Sequence, residues 1–444
     1  MTACPARAPQ ARRRSPRSVG SYAVDRRPLA IPAFRRLWLA SVVTAVGGSF
    51  SLIAVPAQLF TLTGTSATVA VSAAVSFAAL APASLIAGAL ADVIDRRRLL
   101  LVANLGLGAT YLLLWIQSAA GLRSVAVLLV LVACQGVSYG AIMTTMGAAV
   151  PRVVPARLLP AASSLSSLVR NTGAVVGPLL AGLLIPVIGL GNLYLFDATA
   201  LIMVVWAVSR LPSLPVGERA GTGPGRAPGR EAVAAVLAGI PVGFRYLFTS
   251  PLLAAVLGVD MAAMVFGMPY AVFPELAQRA FGGPAGGGTA LGLLYAAYPA
   301  GVFAMGLVSG AFTRARGHGA LMSGAAIAWG VTVVLLALAP RLWAAVAALA
   351  AGGAVNFLLS TFRNAITQAA ASDELRGRIQ GSLTIVLIGG PQAAGILHGF
   401  AAAAVGPRVA IGVGGLLTVL TVTAILLTVP QVRRYQSTAA GDIQ

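Results

Sequence analysis

The sequence predicts an all-α polytopic membrane protein: twelve spanning helices in two pseudo-symmetric six-helix halves. Three observations predict it. The first is composition. Of 444 residues, 58% are hydrophobic and only 9% charged, with a mean hydropathy of +0.88. A water-soluble domain needs far more charge, so the solvent of this chain is a bilayer. The second is a set of twelve apolar runs, each near or above the ~20 residues that a spanning helix needs. They lie at 37–62, 67–91, 99–118, 123–148, 161–188, 191–210, 249–275, 288–312, 319–339, 342–366, 379–404 and 409–430. Continuous runs exclude a barrel, whose strands alternate. The third is the placement of Arg, which supplies all 31 basic residues. With both termini cytoplasmic, 25 Arg fall in cytoplasmic segments and two inside spans. Only Arg123, Arg279, Arg341 and Arg408 fall in outer loops. Short Arg-rich loops stay inside, and one missing span would scramble the split.

The elements follow in order. Residues 1–36 form a basic N-terminal tail with Arg12, Arg13 and Arg14. It lacks an apolar core, so it is not a cleaved signal peptide, and its composition predicts disorder. A net charge of +20 belongs to loops beside an anionic inner leaflet, not to nucleic-acid binding. Residues 37–210 hold spans 1–6. Residues 211–230 are dense in Gly and Pro and read as a flexible cytoplasmic linker. Residues 231–248 read as an interfacial amphipathic helix with Arg245 toward the headgroups. Residues 249–430 hold spans 7–12, and 431–444 are a C-terminal tail. Cys4 and Cys134 imply neither a disulfide framework nor a metal site.

Between spans 2 and 3 lies Gly88-Ala-Leu-Ala-Asp92-Val-Ile-Asp95-Arg96-Arg97-Arg98. Gly88 lets neighbouring helices approach. Asp92, at a helix end, needs a cation or a helix N-terminus to answer it. The stretch resembles motif A of the major facilitator superfamily through Gly88, Leu90, Ala91, Asp92, Arg96 and Arg97. Val93 and Asp95 depart from the general pattern, and Asp95 is similar to the subgroup of drug and siderophore exporters related to the enterobactin exporter. The halves echo one another. Gly310-Ala-Phe-Thr-Arg314 follows span 8, with Arg314 where the first copy has Asp92, and the stretch from Leu158 before the Gly177-Pro178 span is loosely matched by Glu374-Leu-Arg-Gly-Arg before Gly390-Pro391. Halves repeated around a central site are how many transporters alternate access.

Span 5 carries Gly173-Ala-Val-Val-Gly177-Pro178-Leu-Leu-Ala181-Gly182. Small residues four apart make a flat packing face, and Pro178 removes a backbone hydrogen bond. This resembles motif C, which in the superfamily accompanies exporters, with Ala181 in place of a Gly. Gln135-Gly136 resembles the end of motif B, but Val132 stands where the family has Arg. The resemblance implies the major facilitator fold. It also implies a gate at motif A, with Asp92 answered by the end of span 11 when the inner side is shut.

Charges inside spans are expensive and mark cavities or partners. Asp260 lies about 16 Å into span 7 and Arg170 about 13 Å into span 5, at 1.5 Å per residue. Asp197 is shallower, near the outer end of span 6. Because spans 5 and 7 belong to opposite halves, rocking would bring Asp260 and Arg170 together or part them, switching the acid between holding and releasing a proton. Arg363 and Glu275, near span ends, are expected to snorkel. His398 is expected to be a packing residue. Tyr139, Phe266, Tyr270, Tyr295 and Tyr298 are open to two readings, packing or the lining of a cavity for an amphipathic molecule.

Without Lys there is no Walker motif, so ATP-driven transport by this chain alone is excluded. His318 and His398, the two histidines, form neither a metal cluster nor a triad. An enzyme, a cofactor and a metal are therefore not expected. The resemblance implies a secondary exporter of small amphipathic molecules such as drugs, antibiotics or siderophore-like compounds, in the cytoplasmic membrane. A monomer is expected. With Val132 the usual basic member of the family's proton relay is absent, but export against a gradient needs an energy source and a proton is the simplest coupling ion. The alternatives are a secondary importer of a small solute and a membrane sensor or scaffold without transport.

Overall fold

The structure, a computed structural model, describes residues 25–91, 94–211, 248–284, 286–312, 317–370 and 376–436, with Arg245 and Ala315 singly. The basic tail to residue 24, Asp92, nearly all of the linker and interfacial segment, and Arg314 lie outside the described residues.

In hydrocarbon every backbone N–H and C=O must be satisfied within its own segment, so long apolar runs become helices. Ten helices among the described residues are long and apolar enough to cross a bilayer. One of them, Leu159–Ser209, counts twice because Gly189 (φ 79°, ψ 162°) breaks it into spans 5 and 6. Arg376–Val405 adds span 11. The others are span 1 (Pro32–Thr63), span 2 (Ser66–Leu90), span 3 (Arg96–Ala119), span 4 (Val125–Val153), span 7 (Pro251–Ala280), span 8 (Gly288–Leu307), span 9 (His318–Leu338), span 10 (Leu342–Ala370) and span 12 (Pro407–Thr428). The count and order match the sequence reading. Helix starts carry the expected caps: Ser124 and Ser250 accept from Val127 N and Leu253 N.

Two spans depart from continuous helices. Span 1 stops at Gly47 and restarts at Phe50. Span 7 is α-helical only to Gly267, passes through Met268–Pro269, and continues as short turns to Ala280. Hydropathy reads straight through both breaks. Span 8 closes at Leu307 rather than at 312.

An even number of spans puts the start of span 1 and the end of span 12 on one side of the bundle, the terminal face; the opposite side is the far face. Packing repeats with a period of six spans. Span 2 packs on span 4 as span 8 packs on span 10, and span 3 on span 6 as span 9 on span 12. Span 2 meets span 11 across the halves just as span 8 meets span 5. Glycine permits these close approaches. A Cβ on Gly136 would lie 2.6 Å from the Ser76 carbonyl, and one on Gly140 2.6 Å from that of Leu80.

Candidate functional site

Motif A packs and caps. Gly88 sits where a Cβ would lie 3.4 Å from Thr144 of span 4. Leu90 is partly exposed at the end of span 2. Asp95 caps span 3 by accepting from Arg97 N at 2.8 Å. Arg96 is buried. Arg97 donates through its guanidinium to the Ser209 carbonyl, and Arg36 to the Arg210 carbonyl at 2.5 Å. Two cations thus answer the last carbonyls of span 6, where the helix dipole is negative. The predicted partnership of Asp92 with span 11 lies outside the described residues.

The small residues of span 5 serve two faces of the helix. Gly173 and Gly177 pack on span 1, where a Cβ would lie 2.6 Å from the Ala45 carbonyl and 2.6 Å from Ser49 Oγ respectively. Five residues on, Gly182 points from roughly the opposite side of the helix toward the other half. A Cβ on Gly182 would lie 2.7 Å from Gly292 Cα of span 8, and one on Gly292 2.6 Å from the Pro178 carbonyl. The two helices touch backbone to backbone here.

The buried charges pair differently from the sequence reading. Asp260, 2% exposed, takes both its oxygens to Nη1 of Arg363, at 2.7 and 2.8 Å. Arg363 is 6% exposed rather than snorkelling, because span 10 runs on to Ala370 and leaves it inside the bundle. Its Nε and Nη2 donate to Asn364 Oδ1 at 3.3 and 3.0 Å, which fixes the plane of the guanidinium. Arg170 is not the partner of Asp260; it is exposed and donates to Ser167 at 2.9 Å. The ion pair therefore lies within the C-terminal half, not across the halves.

Asp197 is fully buried and caps the second segment of span 1. It accepts from Ser51 N at 2.6 Å and from Ser51 Oγ. A carboxylate at a helix N-terminus is well placed for the dipole and for the orphan N–H groups. Beside this cap, Tyr194 donates to Gln58 Oε1 at 2.7 Å, tying span 6 to span 1. The N-terminal half spends its buried acid on holding a broken helix.

Glu275 does not snorkel either. It is 2% exposed and belongs to a clasp between the halves. Ser66, which opens span 2, donates to Glu275 Oε2 at 2.5 Å. Arg279 donates to Glu275 Oε1 at 2.6 Å and to the Gly64 carbonyl at 2.7 Å. Gly64 turns the chain with φ 67° between spans 1 and 2. The i, i+4 spacing of Glu275 and Arg279 is visible in the sequence; their partners on the first half are not. Span 11 adds apolar contacts to the seam: a Cβ on Gly395 would meet that of Ala73 at 3.3 Å, and one on Gly399 that of Ala70 at 2.6 Å. These cross-half contacts all lie in the far half of the bundle.

Four aromatic residues of the second half, Tyr270, Phe273, Tyr295 and Tyr298, pack around the break in span 7. Tyr270 stacks on Tyr295 at 6.1 Å and meets Phe273 and Tyr298 edge-on. Tyr295 donates to the Tyr270 carbonyl at 3.2 Å, and Trp329 of span 9 to the Ala263 carbonyl at 2.8 Å. Phe266 packs against the same core. His398 is buried with Nδ1 3.0 Å from the Ala394 carbonyl. Tyr139 is partly exposed on span 4. Val132, where motif B has Arg, is buried.

Comparison with known proteins agrees with the fold. The enterobactin exporter EntS of Salmonella choleraesuis (strain SC-B67) is 27% identical over 411 residues, covering 92% of this chain and 94% of that protein. EntS of Escherichia coli O139:H28 is 26% identical over 410 residues, with 92% and 94% covered. A crystal structure of a mutant of the peptide transporter POT superimposes with a TM-score of 0.71 at 13% identity, over 91% of this chain and 95% of that one. The profile of the transmembrane secretion effector family matches residues 23–442. The chain belongs to the transmembrane secretion effector family of the major facilitator superfamily, a family of membrane transporters and not of enzymes.

Proposed function

We propose that this protein is a secondary exporter of small amphipathic molecules, of drug, antibiotic or siderophore type, working by alternating access in the bacterial cytoplasmic membrane with both termini inside. The observation that carries the alternating-access reading is the seam on the far face. There the halves meet through close glycine contacts and a polar clasp, beside apolar packing. Contacts of this kind close a path and can part as units. The outward direction rests on motif C and on relatives named as exporters. The orientation rests on the 25 to 4 division of Arg.

Export against a gradient needs energy, and a proton is the simplest source. Asp260 is the deepest acid, and its charge is tolerated only because Arg363 answers it. Protonating Asp260 would release Arg363; deprotonating it would restore the pair. Everted vesicles supplied from outside with a fluorescent amphipathic dye or a catecholate siderophore test both parts. Wild type should accumulate substrate on energisation, and vesicles without the protein should not. Asp260→Asn should lose energised accumulation and substrate-driven proton movement yet keep downhill exchange. An Asp260→Asn protein that still pumps with an unchanged pH dependence removes Asp260 from the coupling.

A further inference from the structure

We propose that the far face carries an anion-binding site at the seam between the halves, built by Arg279 and Arg408 for a small carboxylate or phosphate. A pocket of about 640 Å³ opens there. The first half contributes Gly64 and Thr65, and the second contributes Glu275, Arg279 and the start of span 12 at Pro407–Arg408.

Its charge is out of keeping with its position. Only four Arg lie in outer loops, because Lys and Arg on that side oppose the topology. Two of those four line this one pocket, and the pocket holds a single carboxylate. Neither guanidinium is used up by the fold. Arg279 spends Nη1 on Glu275 and Nη2 on Gly64, which leaves Nε. Arg408 spends Nη1 on the Ala337 and Ala339 carbonyls at 3.2 and 2.8 Å, which leaves Nε and Nη2. None of these three donors has a hydrogen-bond partner among the described residues. Both guanidinium planes lie over rings, Arg279 5.4 Å from the Phe60 centroid and Arg408 5.8 Å from that of Phe281. Those rings hold the cations in place, and Ala402, Ala403 and Val405 supply an apolar floor. Two anchored guanidiniums with spare N–H groups recognise an oxyanion, and the floor favours an organic one.

The oxyanion has two sources, a free molecule leaving the transporter or the phosphate of a lipid headgroup at the seam. Because both halves line the pocket, either would bridge them and favour the closed far face. The role as a release site rests on the export reading; binding itself does not.

The test is binding of radiolabelled benzoate to the purified full-length protein in phosphatidylcholine nanodiscs. Unlabelled phosphate and phosphatidylglycerol nanodiscs serve as competing arms. Arg408→Gln should weaken binding about 10-fold or more, the worth of one charge-assisted hydrogen bond. Arg408→Lys should keep part of it, and Arg341→Gln, which removes a far-face charge outside the pocket, should change nothing. Displacement by phosphate identifies a free-anion site; loss of benzoate binding only in phosphatidylglycerol discs identifies a lipid site. No saturable binding in any arm, or equal binding by wild type and Arg408→Gln, overturns the proposal. Binding that persists while export assays fail refutes the export reading and leaves the site standing. Intact export without binding does the reverse.

Discussion

Gly182→Ala adds one methyl group where spans 5 and 8 touch across the halves. The new Cβ would lie 2.7 Å from Gly292 Cα, 3.0 Å from Gly292 N and 3.1 Å from the Gly288 carbonyl. All three are backbone atoms, so no side chain can turn aside. Carbon atoms rest about 3.5–4.0 Å apart, so the seam must open by about 1 Å. Overpacking of this kind costs ~1–3 kcal/mol. The cost falls on the conformer whose far face is closed and vanishes when the halves part there. The ratio of far-open to far-closed molecules should therefore rise roughly 5- to 150-fold, at 1.4 kcal/mol per tenfold. Spin labels at Leu122 and Trp343, exposed on the far sides of the two halves, would read this as a longer distance population, with Cys4 and Cys134 replaced by Ser. Gly173→Ala is the control. Its Cβ would press on the Ala45 carbonyl at 2.6 Å, inside one half, so both conformers suffer alike. It should lower the Tm and leave the distances unchanged. If Gly182→Ala gives the wild-type distances and only loses stability, the seam is not a moving contact and the reasoning fails.

Arg363→Gln should cost ~3–5 kcal/mol by leaving Asp260 buried and unpaired, seen as a lower Tm in detergent, and Asp260→Asn with Arg363→Gln should recover most of it. Simple addition of the two losses would show that the residues are not coupled. Asp197→Ala removes the cap on the second segment of span 1 and should cost about 0.5–2 kcal/mol while the pH profile of transport stays as in wild type. A shifted profile at unchanged Tm would move Asp197 from scaffold to transport chemistry. Glu275→Gln weakens the clasp; with Arg279 largely exposed, the loss is about 1 kcal/mol, or roughly a fivefold faster thiol labelling of Ala73→Cys in the seam. Unchanged labelling would mean that the glycine contacts close the face by themselves.

The spans were legible because each is a sum over some twenty residues and needs no partner to be apolar. Arg placement then fixed their number, since each loop votes independently. The breaks in spans 1 and 7 were not legible. What stabilises them comes from far along the chain: Asp197 caps a helix 146 residues earlier, and Trp329 reaches a carbonyl 66 residues earlier. The pairing of Asp260 was misread for a related reason. Closing span 10 at 366 made Arg363 look like an interfacial residue, whereas four more helical residues leave it inside. The choice of Arg170 assumed that a coupling pair must bridge the halves. The spacing of the span 5 glycines pointed to small-residue packing, but it could not show that Gly182 meets Gly292, a contact 110 residues away in the chain.

The position of the ion pair alters what coupling has to be. Asp260 and Arg363 sit on spans 7 and 10 of the same half. Rocking of two rigid halves leaves their separation unchanged, so a proton on Asp260 cannot act through that separation. Under the proposed coupling the signal must run along an element that touches both the pair and the seam. Span 7 is that element: it carries Asp260, then the break at Met268–Pro269, then Glu275 and Arg279 of the clasp. A continuous helix would pass any rotation of Asp260 to the clasp as a rigid rod. A break lets the two ends reorient by a change in a few dihedrals, as hinges do. The donors that hold the break, Trp329 and Tyr295, come from spans 9 and 8 of the same half. Releasing Arg363 would therefore repack the C-terminal half first, and the clasp would open because the outer segment of span 7 moves with that repacking.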